Sequence, residues 1–530
     1  MIAIENLVKL MMNTRNYKFC ILAAGRGTRN TSVAGLHKAL LPLENKSVIS
    51  HIISKVPLEV EIVVAVGHKQ EQLISYLDHV HPERKFHYVR VDNYQGPGSG
   101  PGYSLLQCRE VLQCPFIFTS VDTIIEEDFI FDELRENWIG VSNVDREESS
   151  KYCLVNGERY LDNLYYGKGS LAYTGMAGIY DYELYWEALI AHSSEHCEHQ
   201  VTSGFEGLNK IKMISLTWHD TGNNLSYEKT KRHFSNEVVA TKNTEALYIE
   251  KGRVIKYFNE PAKVGKRLMR TQYLPSLPPD ITRINDNMYS YRYVEGKLLS
   301  DILDDQVLQK VLSFYKKEFM SGAQPKTDQF KKDCQMMYYD KTLERIQYFS
   351  GSELDKIKFI NGVETLPIKE LVKGIKWEKI YNNSIPASFH GDFQPENIIY
   401  DGSSFKLIDW RDSFGESVST GDLYYDLGKL YHALLINGQS VLSKEYAYSI
   451  DGHTATFQYK IKSNLLFLFD FFESFCKDND LCWDHVELLG TLQYIGICSL
   501  YQKFHNGEYG NFLFLLGKYL LTKKLNHVTP

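Results

Sequence analysis

Phe19-Cys-Ile-Leu-Ala-Ala-Gly-Arg-Gly-Thr-Arg29 reads as a short strand that runs directly into a glycine turn. A strand entering such a turn lets backbone N–H groups approach a polyphosphate without a side chain in the way. Working outward from it, short β-rich runs alternate with helical ones. Ser47 to Val56 predicts a helix, Glu61 to Val66 a strand, Glu71 to Leu77 a helix, and Lys85 to Val91 and Pro115 to Ser120 two more strands. That alternation implies crossover connections and a mainly parallel sheet. Ligands of open sheets sit beyond the carboxyl ends of the strands, where Gly25 and Asp122 fall.

The pattern changes after Phe234. Thr244 to Phe258 predicts two strands joined at Lys251-Gly252, followed by a polar helix from Glu260 to about Tyr273. Tyr289 to Gly296 predicts a strand ending in a turn, and helical stretches dominate from Ser300 onward. A small β-rich lobe followed by a large helical lobe is the order of a kinase-like domain. The helical part contains a second phosphate-chemistry signature, His390-Gly-Asp-Phe-Gln-Pro-Glu-Asn397, with Lys406-Leu-Ile-Asp-Trp410 close behind. These boundaries give a domain over residues 17–233 and another over 240–530, the latter split into a small lobe at 240–298 and a helical lobe at 299–530.

Bulk composition narrows the class. A chain of 530 residues is too long for one ordinary core. A formal charge of -7 without a long Lys/Arg block excludes a general attraction to nucleic acid or anionic lipid, so local basic groups must hold any phosphate. Nine scattered cysteines with no Cys-x-x-Cys pair fit a reduced, cytoplasmic protein. The start, Met1 to Leu10, is interrupted by Glu5 and Lys9 and does not read as a signal peptide. The apolar stretches Leu465 to Phe472 and Phe512 to Leu521 are too short to span a bilayer and read as buried helices.

The first signature, with Lys38-Ala-Leu-Leu-Pro-Leu43 nine residues on, resembles the nucleotidyltransferases that make nucleotide sugars and CDP-alcohols, over roughly residues 17–230. The resemblance implies a Rossmann-like domain whose turn, Leu22, Ala23, Ala24, Gly25, Arg26, Gly27 and Thr28, binds a nucleotide. Arg29 and Lys38 then hold the phosphates during in-line displacement. Thr119-Ser-Val-Asp-Thr123 matches the family's strand-end aspartate and Trp218-His-Asp-Thr-Gly222 its second metal-binding stretch, so Asp122 and Asp220 are the implied Mg2+ ligands. Gly96-Pro-Gly-Ser-Gly-Pro-Gly102 stands where the family recognises the base, with Gly98, Ser99 and Gly100 as the contacts. It is longer than the usual Gly-Thr-Ala-type segment and leaves the nucleobase open between CTP, UTP, GTP and dTTP, with CTP and UTP preferred.

The second signature resembles the catalytic loop of the aminoglycoside phosphotransferase and choline kinase group, over roughly residues 240–530. That resemblance implies a two-lobed protein-kinase-like fold, ATP as donor, Asp392 as catalytic base, Asn397 and Asp409 as Mg2+ ligands and Lys256 on the ATP phosphates, with Asp422 and Asp426 in supporting roles. The alcohol it phosphorylates stays open: Asp412, Glu416 and the tyrosines suit a cationic amine, and equally a sugar.

Other charged stretches carry less. Glu195-His-Cys-Glu-His199 reads as a solvated loop rather than a zinc site. Asp145 to Glu148 and Lys229 to Arg232 read as solvated faces, and Lys151 and Lys168 as surface lysines. The expectation is therefore a bifunctional enzyme: one site phosphorylates a small alcohol, amino alcohol or sugar, and the other joins that phosphate to a nucleoside monophosphate for decorating a surface glycan or lipid. A choline-type and a sugar-1-phosphate version, a nucleotide-sensing protein without turnover and an antibiotic-modifying kinase remain alternatives. No nucleic acid or membrane partner is expected, and a homo-oligomer is compatible with the family.

Overall fold

The computed structural model describes residues 17–128, 134–191, 199–234, 243–322, 324–436, 443–460, 463–502 and 504–526. The amino-terminal stretch, Cys197 and most of the Glu195 to His199 cluster lie outside them. The chain divides into two compact units, one made of Met1–Glu260 with Thr282–Ser290 and the other of Pro261–Ile281 with Tyr291–Pro530.

The first unit is built on a mixed sheet whose parallel heart follows the sequence expectation. Strand Lys18–Leu22 lies between Ile62–Val66 and Phe116–Ser120, parallel to both, and Phe86–Arg90 extends the parallel run beyond Ile62–Val66. Parallel strands covered on both faces must be apolar on both faces. Phe19 and Ile21 accordingly enter one core with Ile62, Val64 and Val66, while Cys20 and Leu22 enter the opposite core with Val63 and Ala65. The helices Val48–Lys55 and Gln70–Val80 contribute Ile49, Ile52, Leu73 and Leu77 to the first of these cores. Beyond Phe116–Ser120 the sheet turns antiparallel: Leu171–Ile179 pairs with it and with Trp138–Asn143. The sheet is thus mixed: the strands whose ends carry Gly25 and Asp122 lie in its parallel heart, and Lys212–Ser215 adds a further parallel pairing with Trp138–Asn143 at the antiparallel end.

The hairpin Glu245–Glu250 and Arg253–Phe258 forms a four-stranded sheet with Met288–Arg292 and Thr282–Asn285. The sequence reading put this hairpin at the head of the second domain; here its inner residues Tyr248, Ile255 and Tyr257, with Met288, join the core that contains Phe19 and Ile21. Polar contacts fix it there. Tyr248 Oη donates to the Leu40 carbonyl at 2.5 Å, and Glu250 accepts from Tyr76 Oη at 2.5 Å and from the Ser47 amide at 3.2 Å.

The second unit is largely helical. The helices Leu423–Leu435 and Trp483–Ile497 pack together through Gly428 and Gly490, where a Cβ on either would meet the facing helix within about 3 Å. Glu508–Asn526 adds Phe512 to Leu516 to the buried set. Small antiparallel pairs, Ile398–Tyr400 with Phe405–Leu407 and Pro386–Ala387 with Gly421–Asp422, frame the segment from His390 to Asn397. Among the described residues no helix is long and apolar enough to cross a membrane, and none of the eight described cysteines is in a disulfide.

Removing the Tyr248 hydroxyl leaves the buried Leu40 carbonyl without its donor, so Tyr248→Phe is expected to destabilise the first unit by about 1–2 kcal/mol. Urea unfolding followed by tryptophan fluorescence checks this.

Candidate active sites

In the first unit the glycine turn follows the last residue of strand Lys18–Leu22 and is tied to Lys38 by a residue the motif reading passed over. His37 is buried, its Nδ1 accepts the Ala39 amide at 3.1 Å, and its Nε2–H therefore donates to the Ala23 carbonyl, also at 3.1 Å. One imidazole thus joins the strand end to the single 3-10 turn Lys38–Leu40. Burial, aided by the neighbouring Lys38 charge, lowers its pKa to about 3, so it stays neutral. Gly27 has a φ of 62°, and a Cβ there would stand 2.9 Å from Lys38 Cδ; the Lys38 stem lies against the turn only because residue 27 has no side chain.

Lys38 Nζ reaches Asp122 Oδ2 at 3.4 Å. Asp122 follows the strand Phe116–Ser120, and the next residues, Thr123–Ile125, pair antiparallel with Trp218–Asp220, so that Asp220 stands opposite Thr123. That pairing converges two aspartates 98 positions apart in sequence. A Cβ placed on Gly222 would lie 3.0 Å from Asp220 Oδ1 and 3.2 Å from Asp122 Oδ2. The Thr221 amide donates to the Asp122 carbonyl and the Gly222 amide to Asp220 Oδ1, which locks the turn.

The electrostatics separate the two acids. Burial pushes the Asp220 carboxyl up and the Asp122 charge adds to it. Burial acts on Asp122 too, but Lys38, its own backbone and Arg29 outweigh burial and leave it lowered. Two oxygens converging on a glycine, one acid raised by the other, suit a hard divalent cation such as Mg2+. Behind this pair Glu126 Oε1 accepts from His219 Nε2 at 2.8 Å and His233 Nε2 at 3.1 Å, and the three ligand atoms lie within 4.8 Å of one another. This clasp ties the strand bearing Asp220 to the helix Asn224–Phe234, and its His/His/Glu donors could also take a transition metal.

The Gly96 to Gly102 loop has left-handed backbone at Gly96, Gly98 and Gly100. Gly100 and Gly102 are pressed on the backbone of His199 and Gln200, where a Cβ would come within 2.5 and 2.7 Å. Their lack of a side chain is required by packing. Arg26 donates to Gln95 Oε1 at 2.8 Å just before this loop.

The second unit brings together Asp392, Asn397 and Asp409. Asn397 Nδ2 donates to Asp392 Oδ2 at 2.9 Å, and the hairpin that follows returns the chain so that the Ile408 amide donates to the Asn397 carbonyl at 2.9 Å. Asp409 adopts a left-handed backbone at φ 58° and meets Arg267 Nη1 at 3.2 Å. Lys256 is buried in Arg253–Phe258, a strand of the first unit, whereas these three residues belong to the second.

Two residues hold this loop. Asp426, on the helix Leu423–Leu435, accepts the amides of His390 at 2.6 Å and Gly391 at 2.7 Å. Burial pushes its carboxyl up to about 7 against those two amides and the Arg270 charge. Arg270, fully buried, donates to the carbonyls of Phe389, His390, Arg411 and Val418 and stacks over the Phe389 ring at 3.8 Å. Sequence reading gave Asp426 a supporting role and missed Arg270, which looked like one more charge on a basic helix. Lys429 Nζ, one helical turn from Asp426, pairs with Asp392 Oδ1 at 3.0 Å. Burial raises the Asp392 carboxyl, yet the Lys429 charge and hydrogen bond dominate and lower it.

Residues 19–170 match the model of the MobA-like NTP transferase domain. The "Bifunctional protein GlmU" of Methanococcus maripaludis strain S2 is 27% identical over 259 residues, covering 44% of this chain and 61% of that protein. The chain thus spans about three fifths of the length of that curated relative. Among solved structures, a UDP-glucose pyrophosphorylase complexed with UDP-glucose is 18% identical with a TM-score of 0.35, covering 41% of this chain and 98% of that one. The CTP:phosphocholine cytidylyltransferase LicC of Streptococcus pneumoniae is 17% identical with a TM-score of 0.35, covering 42% and 100%. Residues 19–170 thus carry a MobA-like NTP transferase domain.

Two stability predictions follow from the buried groups. The unfolded chain takes up a proton at His37 as pH falls below about 6.5 while the folded imidazole refuses it down to about 3. Its contribution to stability is therefore complete above 6.5 and lost at about 1.4 kcal/mol per pH unit below. Urea midpoints at pH 7.5 and 5.5 should differ less in His37→Gln than in the wild type. Asp426→Asn presents a donor to one of two amides and is expected to cost about 2–3 kcal/mol, read as a lower urea midpoint of the second unit.

Proposed function

We propose that the chain makes a nucleoside-diphosphate-activated donor in two steps, the second unit phosphorylating a small hydroxylated acceptor with ATP and the first transferring a nucleotidyl group from an NTP, CTP or UTP, to that phosphate. The observation that carries the reading is the convergence of Lys38, Asp122 and Asp220 beyond the glycine turn of a MobA-like NTP transferase domain.

In the first unit the turn from Leu22 to Thr28 receives the triphosphate, its first residues Leu22, Ala23 and Ala24 being buried with the Ala23 amide given to the Ala65 carbonyl, and Gly98, Ser99 and Gly100 face the base. Lys38 and Arg29 hold the α-phosphate and the acceptor phosphate in line. The acceptor needs no base, because a phosphomonoester with a second pKa of about 6 is already an anionic nucleophile at neutral pH. Its oxygen bonds to the α-phosphorus as the bond to pyrophosphate breaks. Mg2+ held by Asp122 and Asp220 would offset the charge that accumulates on the leaving pyrophosphate.

In the second unit Asp392 accepts the hydrogen bond of the acceptor hydroxyl and receives its proton as the γ-phosphoryl group moves. A carboxylate lowered by Lys429 is a weak base, which suffices because phosphoryl transfer is dominated by positioning and charge stabilisation. Asn397 and Asp409 would hold Mg2+ at the ATP phosphates; Asp409 also meets Arg267. The product serves as a donor for surface glycan or lipid decoration, and the substrates are cytoplasmic solutes.

Mass spectrometry of reactions with Mg2+, ATP, each of CTP, UTP, GTP and dTTP, and a pool of amino alcohols, polyols, sugars and their acids tests the proposal. A nucleoside-diphosphate adduct is expected that disappears with Asp122→Asn, and that disappears with Asp392→Asn but returns when the phosphorylated acceptor is supplied. Unchanged turnover in either variant overturns the assignment of that site. Gly27→Ala, by displacing the Lys38 stem, is expected to cut nucleotidyl transfer by about ten-fold or more while leaving phosphorylation intact, a loss of the size expected for one misplaced phosphate contact.

A further inference from the structure

The second unit has a small open pocket of about 30 Å³, lined among others by Met337, Tyr338, Lys341, Thr342, Tyr425 and Gln493, and its Tyr425 lies within electrostatic reach of Asp392. Its wall includes Met336–Asp340, a π-helical turn inserted between the helices Asp328–Gln335 and Lys341–Ile346. Such insertions cost hydrogen-bond geometry and cluster at functional sites. Here the insertion immediately precedes Lys341.

Three cations, Arg411, Lys341 and Lys429, bear on the Tyr425 phenol against one carboxylate, Asp392, while Tyr338 donates to Asp422 Oδ2 at 2.7 Å. Arg411 Nη1 donates to Tyr425 Oη at 3.2 Å and its Nε to the Ser413 carbonyl at 3.0 Å. Lys429 is paired with Asp392, and Asp412 lies within electrostatic reach of Arg411. Lys341, half-buried at the cavity wall, meets neither a hydrogen-bond acceptor nor an ion-pair partner among the described residues. The charges that bear on it are the Tyr425 phenol and three cations, Arg411, Lys429 and Arg345. The phenol registers the cations: burial and the Asp392 charge push it up, but Arg411, Lys341 and Lys429 bring it down to about 8. A protein interior leaves a cation unanswered where a ligand supplies the anion.

We propose that the acceptor phosphorylated in the second unit is itself an anion, a small hydroxylated carboxylate or phosphate ester whose charged group is held in this cavity by Lys341, with Arg411 behind Tyr425. This rests on the kinase reading and narrows its substrate from amino alcohol, polyol or sugar to an acidic one. The hydroxyl is presented to Asp392 while the anionic group anchors the molecule. A P–O bond forms to the acceptor oxygen, the bond from the γ-phosphorus to ADP breaks, and the hydroxyl proton goes to Asp392. A quaternary ammonium such as choline is disfavoured by the same cations. Lys341 is a specificity residue in this scheme, remote from the transferred group.

Acceptor assays on the full chain with ATP and Mg2+ compare glycerate and glycerol phosphate with glycerol and choline. Calorimetry with inorganic phosphate, without nucleotide, reads the anion site apart from turnover. The acidic probes are expected to exceed the neutral and cationic ones in kcat/KM by about ten-fold or more, as a partly buried charge pair would give. Lys341→Met should raise KM for the acidic probe by a similar factor with kcat little changed, and Lys341→Arg should restore most of the affinity. Preference between glycerate and glycerol phosphate tells which anionic group the cavity takes. Lys341→Met removes a cation from among cations, so its melting temperature should not fall, which separates lost binding from lost folding. Preference for glycerol or choline, or a KM indifferent to Lys341→Met, overturns the proposal. Phosphate binding that depends on Lys341 with no turnover on any probe upholds the anion site and sinks the kinase reading. Absence of both Lys341-dependent binding and turnover overturns the anion site.

Discussion

Like charges brought together out of water are the constraint on which both units depend. In the first, two carboxylates are forced onto one glycine by a short antiparallel pairing, and one of them is raised by the other. In the second, cations crowd a phenol and leave Lys341 without an answering charge. Each arrangement costs stability, and under the proposed function a ligand of opposite sign offsets it. The rest of each unit is the rigid frame that makes such crowding sustainable.

That frame is made of buried polar residues that are satisfied by backbone. His37 links the Ala23 carbonyl to the Ala39 amide, and Arg270 and Asp426 together take up the carbonyls and amides of the segment from Phe389 to Gly391. A fully satisfied buried group is stable and directional, whereas one missing partner costs the desolvation of the other. These residues touch no reacting atom, yet they set where Lys38 and Asp392 stand. The opposite signs of their pKa shifts also mean that acid weakens the His37 link while Asp426 becomes easier to keep buried.

The two signs of crowding bear on substrate choice as well. A carboxylate pair in the first unit suits a cation that travels with a nucleoside triphosphate. The cationic cavity in the second suits an acceptor that brings its own negative charge. In that reading the acceptor is recognised by charge before it is phosphorylated, and the phosphate it gains is what the first unit then uses.

The sequence by itself determined the elements and the motifs. Phe19 to Leu22 and Ile62 to Val66 are apolar at every position, which only a strand covered on both faces tolerates, and the stretches bearing the glycine turn, Lys38, Asp122, Asp392 and Asn397 stand out in the sequence because each resembles a short family motif. The tertiary structure alone decided what depends on distant pairing. It supplied the strand pairing that brings Asp220, already implied by resemblance, to Asp122, and gave the hairpin Glu245–Phe258 to the core of the first unit, because Tyr248, Ile255 and Tyr257 complete an apolar face that no local pattern reveals. It also set Lys341 among cations contributed by other segments. Charge balance is a property of neighbours in space, and a residue's place in the chain does not disclose them.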